Sequence, residues 1–516
     1  MILRHRLFYL ALLSKFDHDF VQLKIGSEGL GVISIFKPDL LRSVEAARIP
    51  VYTENEDGLI GITFDPEFVT NGFIYLLYSP PAESVNQLSR FKVVADKIDL
   101  PSEKVVLKYA TQRSLCCHTG GSMRWDDKGN LYISVGDNSS PFASDGFDPI
   151  DEIPGREGFD AQRSAGNTND LRGKILRIKP TADGGYTIPA GNLFPPGTAK
   201  TRPEILSMGH RNPYRIGVDP EKGWVLIGEV GPDAGADKPG RGPAGHDEFN
   251  VVTKPGNFGW PYFIADNKPY DYYNFQTKTS GPPFNPLKPE NHSPNNTGLT
   301  ELPPAQPASI WYTYNSGTST AGKAFPGLTG NGQRTALGGP YYRFSGTGPK
   351  TRMPPHLSGK FLVGEFSRRW FDVLALDDSG RVSDVQPIFR GMTFKEPIDM
   401  AFGPEGNLYV LEYGEGWFAA NAGGGLYQIE YSGSCLLPVN AIARSAKRQS
   451  RLNGGLVPGL TLTRGIKVPP GYTRVQAYRV DGALAWERKV SGDEARGTVF
   501  APAGLAEGLF KIIFQL

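Results

Sequence analysis

The stretch SMRWDDKGNLYISVGD, residues 122–137, reads as two apolar, alternating strands reversed by an acidic, glycine-containing turn. Alternation with period two gathers apolar side chains on a sheet face, and Asp, Pro and Gly supply the fixed or positive φ of a reversal. The design recurs as GITFDPEFVTNGFIYLLYS at 61–79, RIGVDPEKGWVLIGEVG at 215–231 and DMAFGPEGNLYVLEYGEG at 399–416. Further strands follow at 88–94, 173–180, 369–378 and 424–431. A hairpin with its outer strands is one propeller blade, and reuse of one hairpin four times argues against a large β-sandwich. The expected fold class is therefore all-β, a β-propeller whose uneven spacing reflects long top-face loops.

Composition agrees with that reading. The 516 residues include 63 Gly and 43 Pro, about one in five, which excludes a helical bundle, while 39% hydrophobic content suffices for a core. A net charge of +2 creates no field that would favour nucleic acid or an anionic membrane. No run approaches the ~20 apolar residues of a membrane-spanning helix, so the expectation is no nucleic-acid partner and no membrane span. Arg4, His5 and Arg6 precede an apolar run at 7–13, the order of a signal peptide, yet the run is short and lacks a small-residue cleavage site.

The ends depart from the repeat. Residues 1–22 read as an N-terminal segment, a weak signal or a truncated first strand, and VISIFKP at 32–38 as later strands of a first blade. The propeller is expected over 23–432 and a basic linker over 433–455. A small β-domain follows over 456–516, built on VQAYRVDGALAWERKV and GLFKIIFQL.

Polar residues at strand ends are where a propeller gathers groups around its axis. In CCHTGGS, His118 precedes two glycines that permit close ligand approach, and Asp137 emerges at the same rim of the hairpin. An acid beside a His fixes its tautomer and raises the basicity of the other nitrogen, as a general base requires; a core His bonded to backbone is the plainer alternative. In GHRNP, Arg211 offers a cationic fork and Asn212 both donor and acceptor, against the plainer role of an Asn-Pro turn. In GEVGPDAG, carbonyls freed by the Gly231-Pro232 turn are hard oxygen ligands of the kind Ca²⁺ accepts. No zinc spacing, phosphate loop, dinucleotide fingerprint, nucleophile elbow or haem-attachment motif is present, so any electron acceptor is external.

Together, DGLIGITFDPEF, HTGGS with VGDN, LRGKILRI, GHRNP, EVGP and DEFN…GNFGWP resemble the glucose/sorbosone dehydrogenase family over residues 49–431. The resemblance implies a six-bladed propeller that oxidises an aldose at C1 to the lactone. Hydride passes to Ca²⁺-bound pyrroloquinoline quinone (PQQ), and the electrons go on to a quinone or cytochrome. By the same resemblance His118 is the general base, Asp137 its orienting carboxylate and Arg211 the group polarising the quinone oxygen. Asn212 contacts the cofactor, and the carbonyls of Gly231 and Pro232 hold Ca²⁺. Departures are Glu56, where better-known members place Gln, and Cys117, where they place Asp before the His. Arg368, Arg369 and Lys395 lie in the region of the carboxylate-binding residues, but the expected closely spaced arginine pair is replaced by Glu396 and Ile398.

Cys116 and Cys117 read either as a vicinal disulfide or as two thiols, and Cys435 as unpaired. The tail resembles carboxy-terminal sorting domains of secreted bacterial proteins, which implies a periplasmic or extracellular destination and a β-sandwich-like unit. Two rival readings remain: a propeller that binds carbohydrate or protein without quinone, and a Ca²⁺-dependent propeller lactonase to which Glu56, Asp137 and Asn212 contribute ligands.

Overall fold

The computed structural model describes residues 8–12, 20–25, 30–37, 42–314, 328, 330–346, 352–403, 406–414 and 424–431, and strand segments within 466–515. Every expected hairpin is an inner hairpin of a blade. The strand pairs are Leu59–Phe64 with Phe73–Tyr78, Gly120–Trp125 with Leu131–Val135, Pro213–Val218 with Val225–Glu229, and Pro397–Phe402 with Leu408–Glu412. The second strands LYISV and LYVLE are buried along their whole length, because each blade is covered on both faces by its neighbours.

Five blades are described with their side chains, against the six expected. Four follow the strands above: a sheet completed by Val85–Val94 and Lys97–Ala110; one by Lys174–Pro180 and Ile205–Met208; one by Asp247–Val252 and Ile310–Tyr312; and one by Gly425–Tyr431. The fifth, Ala336–Tyr342, Lys360–Glu365, Trp370–Leu376 and Val382–Ile388, was not read as a hairpin. Its first two strands are joined by residues 343–359, too long for the short-turn signature. Inner strands pack side by side in chain order around the axis. Glycines permit this approach: a Cβ on Gly217 or Gly228 would collide with backbone of Gly339 or Gly338 on the next inner strand.

At the N-terminus, Phe8–Leu12, Phe20–Ile25, Leu30–Lys37 and Arg42–Pro50 form a further four-stranded antiparallel sheet. The backbone of Phe8–Leu12 lies against both Leu59–Phe64 and Pro397–Phe402. An inner strand thus exists upstream of VISIFKP, where the sequence suggested one missing or altered. Within 456–516, Leu509–Gln515 pairs with Gly425–Tyr431 and carries Arg474–Arg479 and Leu484–Lys489 with it. These strands extend the last blade's sheet, and a face-to-face sandwich is not seen among the described residues. The linker 433–455, with Cys435, lies outside them. Among the described residues helix is confined to Phe68–Asn71 and three 3₁₀ turns, and none is long and apolar enough to cross a membrane.

Candidate active site

His118 sits in the turn entering the inner strand Gly120–Trp125. It has φ 66° and is followed by Gly120 and Gly121 at φ 71° and 103°. Across the hairpin, Gly136 leaves no room for a Cβ against the His118 carbonyl, so the two strand ends close upon one another. That brings His118 Nδ1 to 2.7 Å from Asp137 Oδ1. The Asp137 carboxylate is fully buried and accepts two more bonds, from Ser139 N at 2.9 Å and Trp260 Nε1 at 2.8 Å. Because an ionised carboxylate only accepts, the imidazole proton resides on Nδ1, and Nε2 is the basic nitrogen.

The neighbouring loop is set by another buried acid. Glu229 accepts the amides of Arg211 and Asn212 at 2.8 and 2.7 Å, and pairs with His210 Nδ1 at 2.9 Å. His210 itself is wholly buried, stacked on Phe258 and bonded to Ser207 Oγ at 2.8 Å, so of this polar triplet it belongs to the core. Arg211 donates to the Val230 carbonyl at 3.0 Å, and its guanidinium lies 3.6 Å from Asp233 Oδ2. Burial pushes the Asp233 carboxyl upward, but Arg211, the Tyr314 hydroxyl and Arg334 outweigh it and hold the group below its ordinary range. Asn212 is 6% exposed, and its Oδ1 has no hydrogen-bond partner among the described residues.

These groups share a cavity of about 290 Å³ whose lining includes Glu56, Cys117, His118, Phe142, Arg211, Asn212, Asp233, Tyr314 and Arg334. Cys116 and Cys117 are paired as a vicinal disulfide, one of the two states expected of them. Glu56 accepts the Thr119 amide at 2.9 Å and so braces the turn that carries His118.

Residues 24–289 match the family described as glucose/sorbosone dehydrogenase. The chain belongs to that family. An uncharacterised protein of Synechocystis sp. is 26% identical over 364 residues, 70% of this chain and 69% of that relative. Quinoprotein glucose dehydrogenase B of Acinetobacter calcoaceticus is 25% identical over 49% of this chain, and the match spans 48% of that protein. The soluble aldose sugar dehydrogenase of Escherichia coli, solved in its apo form, superposes with a TM-score of 0.52 at 20% identity, covering 83% of this chain and 96% of that one. The last likeness is one of fold.

Against the glucose/sorbosone dehydrogenase pattern, the structure gathers His118, Asp137, Arg211, Asn212 and Glu56 at or directly behind one cavity. It does not bring Arg368, Arg369 or Lys395 to the lining. Arg368 donates to the carbonyls of Thr313, Gly332 and Gln333, Arg369 pairs with Glu396 at 3.2 Å, and Lys395 is exposed. Two residues were missed. Trp260 stands in the quoted GNFGWP motif with no role assigned, yet its indole completes the Asp137 acceptor set. Arg334 is an isolated Arg in NGQRTALGG, with no spacing signal to mark it.

The calcium expectation meets a physical obstacle. The Pro232 carbonyl, expected as a metal ligand, accepts a hydrogen bond from Arg334 Nη2. Gly231 donates its amide to Asp247 Oδ1 at 3.0 Å. Of the acids named for the lactonase reading, Asp137 is committed to three N–H donors, whereas Glu56 accepts one, the Thr119 amide on Oε2. The donor set does not fit Ca²⁺ at this turn. It does fit an anionic, oxygen-rich organic group, which the Arg211 and Arg334 guanidinia and the polar Asn212 would hold.

Proposed function

We propose that this protein oxidises an aldose at C1 to the lactone, with PQQ bound in the cavity beside His118, Arg211 and Asn212. The observation that carries the reading is the Trp260–Asp137–His118 chain, which ends with Nε2 as the basic nitrogen of a His that lines a cavity holding two guanidinia. When bound, the quinone supplies an electrophilic carbon that accepts a hydride, and it returns the electrons to an external quinone or cytochrome.

The chain's own groups do the proton work. His118 Nε2 takes the proton of the C1 hydroxyl, and Asp137 stabilises the imidazolium at 2.7 Å. Trp260 and Ser139 keep the carboxylate turned toward Nδ1. Arg211, held by Val230 and Asp233 on the cavity wall, would be the group to offer positive charge to a bound quinone's oxygen. Glu56 fixes the His118 turn. Arg368, Arg369 and Lys395 do not line the cavity and so do not hold the cofactor in this reading, nor does a calcium ion at Gly231-Pro232, whose Pro232 carbonyl is taken by Arg334.

The same reading takes the N-terminal sheet as the sixth blade closing the ring, residues 456–516 as an appended β-unit, and the location as periplasmic or extracellular. The absence of Arg368, Arg369 and Lys395 from the lining favours one rival, a propeller that binds carbohydrate or protein without quinone. Reconstitution separates the two: apo-protein is mixed with PQQ, and aldoses are added without acceptor while quinone absorbance is followed. Sugar-dependent reduction supports the dehydrogenase. Folded protein that fails to bind PQQ overturns it and leaves the binding module.

A further inference from the structure

Arg334 occupies the position at which a metal was expected, and it is held there from three sides. Its Nε lies 3.0 Å from Asp247 Oδ1, its guanidinium stacks 3.8 Å above the Tyr314 ring, and Nη2 donates to the Pro232 carbonyl. The side chain is 1% exposed, so it is fixed and desolvated. Tyr314 donates in turn to Asp233 at 2.6 Å, and Asp233 faces Arg211, which links the two cationic groups of the cavity. Arg334 Nη1 is buried with no hydrogen-bond partner among the described residues, and so is the Asn212 oxygen on the same cavity. A buried donor left unmatched beside a cavity marks a place where a ligand's acceptor belongs.

We propose that Arg334 is a resident cation standing in for the divalent metal, so that the cavity takes a polycarboxylate ortho-quinone without Ca²⁺. The proposal rests on the quinone reading above and adds how charge is balanced within it. Calcium ligands lie at about 2.3–2.6 Å. An ion at that distance from the Pro232 oxygen would share one acceptor with a guanidinium N–H, two cations in direct repulsion in a desolvated site. Asp247 is not free to draw the ion in. It is fully buried and already serves Arg334, the Gly231 amide and the Ala336 amide at 2.8 Å. A guanidinium also suits the ligand chemically, because its planar fork pairs with carboxylate and quinone oxygens alike.

The test is equilibrium binding of PQQ to the full chain, read by quenching of protein fluorescence and by calorimetry, in excess EGTA and in excess Ca²⁺. The expected result is the same affinity in both media. Arg334→Gln combined with Asp247→Asn removes both buried charges together, and its fold is checked by circular dichroism. This variant should bind at least about tenfold more weakly in EGTA, the size of one lost charged hydrogen bond, and Arg334→Lys should recover part of the loss. Wild-type affinity that rises about tenfold or more with Ca²⁺ overturns the proposal while leaving the quinone reading intact. A folded double variant that binds as wild type in EGTA does the same. Absence of binding in either medium removes the quinone reading and this proposal with it. The wild-type comparison needs no variant, so it decides even if neither substitution folds.

Discussion

Replacing Asp137 with Asn changes one atom and breaks the proton relay in a way the geometry specifies. Three N–H groups converge on the carboxylate: His118 Nδ1 and Ser139 N on Oδ1, and Trp260 Nε1 on Oδ2. An amide offers only one acceptor oxygen, so one side of the group must present its own NH₂ to an N–H. With the amide nitrogen toward Trp260, the indole loses its acceptor. With it toward His118, Ser139 loses its acceptor, and the imidazole must accept at Nδ1, which moves its proton to Nε2 and abolishes the base. Either orientation strands a buried donor at a cost of about 1–3 kcal/mol in stability. Either also removes the countercharge from the imidazolium. The expected loss in kcat is ~10²- to 10⁴-fold, the range of general-base catalysis, with KM for the sugar nearly unchanged. The assay is aldose-dependent dye reduction by the reconstituted protein, paired with ¹⁵N shifts of the imidazole to read the tautomer. An Asp137→Asn protein with more than about a tenth of wild-type kcat would refute the role of Asp137 in setting the base.

Gly136→Ala places a Cβ against the His118 carbonyl and should cost ~1–3 kcal/mol and most activity in thermal melts and dye assays; Gly235→Ala, whose Cβ meets nothing within 4 Å, is the neutral control. Trp260→Phe keeps the ring but loses the bond to Asp137, so kcat should fall about tenfold; an unchanged rate argues that Ser139 alone orients the carboxylate. His246 is pushed down to about 4, first by burial and then by the charge of Lys268. Its folded form resists protonation while the unfolded form takes it up below about 6.5. Stability is therefore lost as pH falls from about 6.5 to about 4, by ~3 kcal/mol at the lower end. His246→Gln should flatten that slope in urea melts compared with wild type at each pH. The comparison matters because buried Glu248 and Glu365, both raised to about 8, contribute the opposite sign, favouring the folded state in acid.

What the sequence disclosed follows from the reach of its signals. Hairpins 61–79, 122–137, 215–231 and 399–416 were legible because strand, turn and strand are contiguous, and a short turn must carry Asp, Pro or Gly. The blade beginning at Ala336 was not, since residues 343–359 separate its first two strands. His118 and Asp137 were legible together because one hairpin brings residues 19 apart to the same rim. Trp260 is 123 positions from Asp137 and follows Gly256–Asn257, a late addition to the edge of the same sheet, a distance over which no local pattern speaks. Arg368, Arg369 and Lys395 show the converse error. Proximity in sequence to a family's binding residues placed them near the site, but Arg368 donates Nε and Nη2 to backbone carbonyls, Arg369 pairs with Glu396 and Lys395 is exposed, and none of the three lines the cavity.

A His beside a buried acid does not by itself identify a catalytic base in this fold, because the structure contains the pair twice. Asp137 and Glu229 each follow or end the second strand of adjacent blades, and each collects two further N–H donors besides a histidine Nδ1. Glu365 closes the second strand of another blade and takes the amides of Thr335 and Arg368, so a buried acid at this rim is a structural device that ties loop amides to the strand. The two pairs differ in what lies beyond the ring. His210 Nε2 is met by Ser207 Oγ at 2.8 Å inside the core, leaving it nothing to exchange protons with. His118 lines the cavity instead, beside Arg211 and Asn212. His210→Gln should therefore lower thermal stability more than kcat, and His118→Gln the reverse, which a paired melt and turnover measurement reads directly. Equal loss of kcat in both variants at equal stability would mean that the frame around Glu229, rather than the His118 nitrogen, limits the reaction.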